Sequence, residues 1–210
     1  MRMTEWLANV SIGYIIAAIV MLLIARLIIG RYKTPLARSM AEVVESALMA
    51  IALVFLFIRP FVVQAFFIPS PSMYPTLREG DHILVNKFIY RFREPRVGEI
   101  IVFKAPPAAT DDHTEKDFIK RLIGLPGDVI EVKKGALYRN GKRMNEPYLN
   151  DNEIGYTMEP TKVPEGKLFV FGDNRNDSRD SHMWGALERK RVIGKAMVRF
   201  WPPARFGTLH

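Results

Sequence analysis

The sequence predicts a mostly β globular domain of antiparallel strands, preceded by one or two transmembrane helices. Residues 10–30, VSIGYIIAAIVMLLIARLIIG, are apolar apart from Arg26. From residue 78 the hydrophobic period shortens, and Gly, Pro and Asp punctuate short β-rich runs. No stretch of helical period and ordinary length follows residue 80.

Roughly 20 residues at about 1.5 Å each cross a hydrocarbon core, so residues 10–30 are expected to span a bilayer. The run exceeds the apolar core of a cleaved leader, and no small-x-small site follows at Arg31-Tyr32-Lys33. A second run, ALMAIALVFLFI (47–58), is interrupted by Arg59-Pro60. Taken from about residue 43 to 63 it reaches spanning length, with Glu45 at one interface and Arg59 snorkelling to the other. The loop expected at about 31–42 carries Arg31, Lys33 and Arg38, whereas Arg2 alone precedes the first run. Positive charge favours the cytoplasmic side, which places the N-terminus and everything after Val63 outside. A single crossing would instead leave the C-terminal part in the cytosol. The expected organisation is a membrane anchor over 1–65 and an extracytoplasmic β-rich domain over 66–210.

Within that domain HILVNKFIY, EIIVFKA, DVIEV, KLFVFGD and RVIGKAMVRFWPP read as strand-bearing segments. ALYRNGKRM holds Asn140-Gly141, a dipeptide that takes positive φ at both centres of a type I′ turn, so a hairpin is expected there. Asn150 to Gly166 is polar and turn-rich and reads as a surface excursion. Phe200 and Trp201 are amphipathic aromatics of the kind that dip into a membrane interface, or else strand residues packed on the β core.

The net charge of +8 and pI near 9.8 do not indicate nucleic acid, because no recognition helix, aromatic RNA-binding signature or zinc-ligand spacing accompanies them. A lipid-facing surface accounts for the basic balance. The absence of cysteine excludes a disulfide framework, a thiolate nucleophile and cysteine-ligated zinc. No cofactor or metal is expected.

Chemistry concentrates at two positions. Ser72 sits in IPSPSMYPTL (68–77) and Lys120 in FIKRLIGLPGD (118–128). A serine hydroxyl needs a neighbouring base to take its proton as it attacks a carbonyl. The four histidines, His82, His113, His182 and His210, lie in no nucleophile-elbow or trypsin-like context. A lysine serves if it is neutral. Its pKa of about 10.4 must then fall by around three units, a cost of roughly 4 kcal/mol met by burial away from carboxylates. Phe118, Ile119, Leu122 and Ile123 flank Lys120, which makes it a candidate. An exposed strand lysine with a solvated head is the competing reading.

These segments resemble the bacterial type I signal peptidases, or leader peptidases, over about Phe66 to Trp184 together with the membrane segments. IPSPSMYPTL resembles the nucleophile box, in which the serine before Met attacks. GDHILVNKFIY (80–90) resembles the structural box that follows, and FIKRLIGLPGD the lysine box. FGDNRNDSRDS (171–181) resembles the last box, with Gly172, Asp173, Asn174, Arg175, Ser178 and Asp180 at its positions.

The resemblance implies an antiparallel β-sheet catalytic domain at the membrane surface, with Ser72 as nucleophile and Lys120 as general base. It implies exported preproteins as substrates, cut after small-x-small sites, and a plasma (inner) membrane location. Ser70 matches the hydroxyl that joins the Ser72 backbone N–H in the oxyanion hole, a donor of a kind that contributes about 3 kcal/mol. Ser178 matches the serine that hydrogen-bonds the lysine amine. Asp173, Arg175 and Asp180 are expected as opposite charges paired to hold a tight turn, since a carboxylate too close to Lys120 would raise its pKa. Phe66, Ile68, Met73, Leu77, Ile83, Phe118 and Ile119 match the lining of shallow apolar pockets that select small side chains by exclusion, with core packing as the competing role. Two departures stand out: Phe118 where tyrosine is frequent, and His182 where arginine is common. The second puts an ion pair in doubt and leaves a Ser-His pairing open. A relative dedicated to one conjugation or pilus partner and an inactive membrane scaffold are the other functional readings. Retention of Ser72 and Lys120 together weighs against a scaffold, and the apolar N-terminal run weighs against a cytosolic self-cleaving repressor.

Overall fold

The computed structural model describes residues 12–32, 34–53, 63–111, 114–149 and 153–209. The chain divides into two compact units, Met1–Val63 and Gln64–His210.

In the first unit, α1 spans Ile12–Ile29 and α2 spans Pro35–Ala52. Arg26 of α1 reaches Glu45 of α2 at 3.2 Å. α2 begins well inside the loop expected at 31–42. Thr34 caps it by accepting a hydrogen bond from the Ala37 N–H, and Pro35 supplies the fixed φ of a first turn. Among the described residues no helix is long and apolar enough to cross a membrane. Over its 18 described residues α1 measures about 27 Å against a hydrocarbon core of about 30 Å. Residues 10 and 11 of the first expected span and 54–62 of the second lie outside the described residues.

The second unit is mostly antiparallel β, as expected. Its strands are β1 (Val63–Phe67), β2 (His82–Asn86), β3 (Ile100–Lys104), β4 (Asp117–Gly124), β5 (Val129–Lys133) and β6 (Ala136–Arg139). They continue with β7 (Lys142–Arg143), β8 (Met158–Lys162), β9 (Lys167–Phe171), β10 (Leu187–Glu188), β11 (Val192–Trp201) and β12 (Gly207–Thr208). A large sheet runs β1-β2-β11-β3-β4-β9-β10, with β12 on β11, and a small one runs β7-β6-β5-β8. The pairings that flank β4, to β3 and to β9, are antiparallel.

β4 is central because it serves three cores. Ile119 packs on the cluster of Ile68, Met73, Leu77, Ile83 and Val102. Phe118 and Leu122 join Ile101, Phe103 and Val170. Ile123 enters the core of the small sheet with Ile130, Val132 and Phe169. At Gly124 a Cβ would meet the Ile130 side chain at 2.9 Å, so glycine sets how closely the sheets approach.

The Asn140-Gly141 hairpin forms between β6 and β7, with φ of +53° and +75° at its two centres. HILVNKFIY yields a strand only as far as Asn86. There the Asn86 side chain accepts the N–H groups of Phe88 and Ile89 and turns the chain into a short 3-10 helix, Ile89–Arg91. The expected excursion from Asn150 to Gly166 is corrected by β8, which pairs with β5 while exposing most of its side chains. Backbone hydrogen bonds hold it, so its polar side chains gave no hydrophobic signal.

Candidate active site

The Ser72 segment is set by prolines. Ser70 is extended, with φ −138° and ψ 155°, and Pro71 opens a 3-10 turn over Pro71–Met73 that carries Ser72. Met73 and Leu77 are fully buried beneath it and anchor the turn in the core. β4, in the same large sheet as the β1 and β2 strands that flank this segment, presents Lys120.

The two meet: Lys120 Nζ lies 2.7 Å from Ser72 Oγ, across 48 residues of sequence. Lys120 is 4% exposed, so the solvated-lysine reading fails. Burial pushes its pKa down from 10.5 to about 8, against the opposing charges of Asp180 and Asp173. Withdrawal from water outweighs attraction to the carboxylates. Ser70 Oγ lies 3.3 Å from Ser72 Oγ and remains exposed.

Behind the pair, the turn after β9 docks on the Ser72 segment. The Asn174 N–H donates to the Ser72 carbonyl at 3.1 Å, and its side chain donates to the Pro71 carbonyl at 3.3 Å. Gly172 is required because a Cβ there would collide with the Ser72 carbonyl and the Ser178 side chain. Asp173 pairs with Arg121, whose Nε and Nη2 donate to its two oxygens at 2.8 and 2.7 Å. Thr76 Oγ1 also donates to Asp173, at 2.5 Å.

The expected pairing of Asp173, Arg175 and Asp180 among themselves is therefore corrected. Arg175 pairs instead with Glu146, at 2.8 and 2.6 Å, and donates through Nε to the Gly172 carbonyl. Asp180 accepts the Gly172 N–H at 2.9 Å and lies 2.7 Å from His182 Nδ1. His182 sits on the four-residue helix α3 (Ser181–Trp184) and stacks on Tyr156 at 4.2 Å. The histidine takes the role of partner to Asp180, while the Ser72 hydroxyl meets Lys120.

Ser178 is likewise corrected. Its hydroxyl is buried and has no hydrogen-bond partner among the described residues, so it does not bond the Lys120 amine as expected. It packs against Gly172, whose missing side chain admits it. Of the expected pocket residues, Ile68, Met73, Leu77 and Ile83 are buried in the core. Phe66, Phe118 and Ile119 keep accessible surface, and the Lys120 amine lies 5.5 Å from the centre of the Phe118 ring.

Sequence reading missed Arg121, Thr76, Glu146 and Tyr148 as members of the site. Arg121 directly follows Lys120, and strand alternation sends it to the opposite face. Among the described residues no group of acidic, histidine or cysteine side chains could hold a metal ion.

An antiparallel β domain that buries an amine against a serine hydroxyl falls, as a class, with the serine endopeptidases. The comparisons with known proteins make the class specific. A model of the family "signal peptidase, peptidase S26" matches residues 40–201, and the chain belongs to that family. The probable signal peptidase I-2 of Synechocystis sp. is 47% identical over 152 residues, covering 72% of this chain and 69% of that one. Thylakoidal processing peptidase 1, chloroplastic, of Arabidopsis thaliana is 40% identical over 170 residues, 79% of this chain and 49% of its own. Signal peptidase I of Bacillus licheniformis is 37% identical over 174 residues, with 78% and 90% covered. A crystal structure of a signal peptidase I from Enterococcus faecalis, 31% identical, covers 49% of this chain and 97% of its own with a TM-score of 0.42.

Proposed function

We propose that the chain is a membrane-bound serine endopeptidase that removes N-terminal signal peptides from exported preproteins after small-x-small, Ala-x-Ala-like sites. Ser72 is the nucleophile and Lys120 the general base. The observation that carries this reading is the 2.7 Å approach of a buried amine, its pKa lowered to about 8, to the Ser72 hydroxyl.

The neutral amine accepts the Ser72 proton as Oγ adds to the scissile carbonyl. The Ser72 backbone N–H and the Ser70 hydroxyl donate to the oxyanion. Collapse of the tetrahedral species breaks the C–N bond, and the Lys120 ammonium returns its proton to the departing amine of the mature chain. Lys120 then takes a proton from water as its oxygen adds to the ester, and returns that proton to Ser72 Oγ as the C–O bond breaks and the acid departs. Phe66, Phe118 and Ile119 give the cleft its apolar walls, and Ile68, Met73, Leu77 and Ile83 back them from the core. A wall that cannot recede admits alanine-sized side chains and excludes larger ones.

The first unit supports membrane attachment. α1 exposes Met21, Leu23, Ile24, Leu27 and Ile28, and a helix apolar on its outer faces is suited to lipid. The working location is the plasma (inner) membrane, with the catalytic domain on the extracytoplasmic face where exported chains emerge.

The test uses full-length protein in detergent and a preprotein with an Ala-x-Ala site. Wild type is expected to cleave it at that site, while Ser72→Ala and Lys120→Ala lose activity by about 10³-fold or more. Equal cleavage by all three would remove both residues from the mechanism.

A further inference from the structure

Building on the serine–lysine reading, the geometry points to Glu146 as a positioning residue that holds the Gly172–Arg175 turn against Ser72 by gripping Arg175. Nothing in the sequence of residues 144–149 marks them as part of a site, since they lie in the connection between β7 and β8. The structure nonetheless runs this strap beneath both guanidinium groups that pin the turn. The Glu146 carboxylate takes Arg175 through both of its oxygens, at 2.8 and 2.6 Å, with both side chains at least nine-tenths buried. Tyr148 donates its hydroxyl to Glu146 at 2.7 Å and lays its ring 3.7 Å from the guanidinium carbon of Arg121. One strap therefore locks the two arginines, each by a different group.

The arginines transmit the grip. Arg175 Nε donates to the Gly172 carbonyl at 3.0 Å, and Arg121 holds Asp173, the next residue. The same turn donates the Asn174 N–H to the Ser72 carbonyl. Gly172 also carries the N–H that reaches Asp180. Displacing the turn thus moves the backbone of the nucleophile relative to Lys120, which belongs to a different element. Burial works against the Arg175 charge, but the hydrogen bonds and charge of Glu146 more than offset it, so the guanidinium stays ionised in place. Without the carboxylate it would be a buried, unpaired cation and would seek water at the expense of its bond to Gly172. Small misplacements of this kind act on turnover rather than on binding.

The experiment compares full-length wild type, Glu146→Gln, Glu146→Asp and the double variant Glu146→Leu/Arg175→Met on a peptide with an Ala-x-Ala site, with Ser72→Ala as the blank. For Glu146→Gln, kcat is expected to fall about tenfold to a hundredfold with KM within about twofold, and Glu146→Asp to recover part of the loss. The double variant removes both charges, so it is expected to fold with Tm near that of wild type while kcat stays low, because Gly172 has lost its donor. A folded double variant with wild-type kcat would reduce Glu146 to a stability role and overturn the inference, as would Glu146→Gln with unchanged kcat. If Glu146→Gln does not fold, the double variant carries the test. Cleavage by Ser72→Ala at close to the wild-type rate would count against the serine–lysine reading itself, separately from Glu146.

Discussion

The two faces of β4 treat neighbouring cations in opposite ways. Lys120 and Arg121 are adjacent, and both are almost wholly withdrawn from water, at 4% and 1% exposure. Lys120 meets a neutral hydroxyl, and its pKa is driven down to about 8 by burial. Arg121 meets a carboxylate through two hydrogen bonds, gives a third to the Gly98 carbonyl at 2.7 Å, and is covered by the Tyr148 ring. Strand alternation alone separates these environments. The side chains suit their sides: an ammonium can shed its proton when buried, whereas a guanidinium stays charged and matches a carboxylate in shape. On the proposed mechanism, burial makes one cation a base and the other a pin, and the partner decides which.

The sharpest way to break this contrast is to remove each cation in turn. Arg121→Met leaves the Asp173 carboxylate buried with the Thr76 hydroxyl as its remaining donor, and should destabilise the folded domain by about 3–5 kcal/mol. Lys120→Met removes an amine whose burial is unfavourable, and should leave stability unchanged or raised. Thermal or denaturant unfolding of both variants in detergent checks this. Equal losses would mean that the two faces are not distinct.

The pH profile sharpens the same contrast at smaller amplitude. On the proposed mechanism only the neutral amine accepts the Ser72 proton, so kcat/KM should climb about tenfold per pH unit up to about pH 8 and then level. Stability moves in the same direction. The folded pKa of Lys120 lies below its unfolded value, so the unfolded chain binds more protons between about 8 and 10.5. The penalty is fully present below that window and fades as pH rises through it. The Lys120→Met variant should lose this rise, and one that kept it would transfer the effect to another group.

Much of the framework was legible because local chemistry dictates it. The Asn140-Gly141 turn needs two positive φ values and obtains them, and the β-branched and aromatic segments around residues 100, 129, 167 and 192 became β3, β5, β9 and β11. Ser72 and Lys120 could be chosen because their segments resemble the nucleophile and lysine boxes of a known family, whereas an amine beside apolar residues is by itself more often a solvated strand lysine. Partners were harder to read. Nothing near Arg175 in sequence announces Glu146, 29 residues earlier, since ion pairing is set by the topology that folds the small sheet beside the turn. β8 and the start of α2 escaped for a different reason. Backbone hydrogen bonds hold the first, and the Thr34-Pro35 cap opens the second within a stretch read by its charges.

The smallest effect is expected at Ser178, where it tests whether burial alone sets the Lys120 side of the comparison. A serine that oriented the amine by a hydrogen bond would, when replaced by alanine, shift the pH midpoint and lower kcat. Its hydroxyl has no partner among the described residues, and an unsatisfied buried polar atom costs about 1–3 kcal/mol. Ser178→Ala should therefore be as stable as wild type, or more stable by up to about 1 kcal/mol, since the methyl group fills much of the same space against Gly172. The midpoint should stay near pH 8, because the withdrawal from water that lowers the Lys120 pKa is untouched. A midpoint displaced by half a unit or more would show that the hydroxyl engages the amine during turnover, and burial would no longer be a sufficient cause for a neutral lysine.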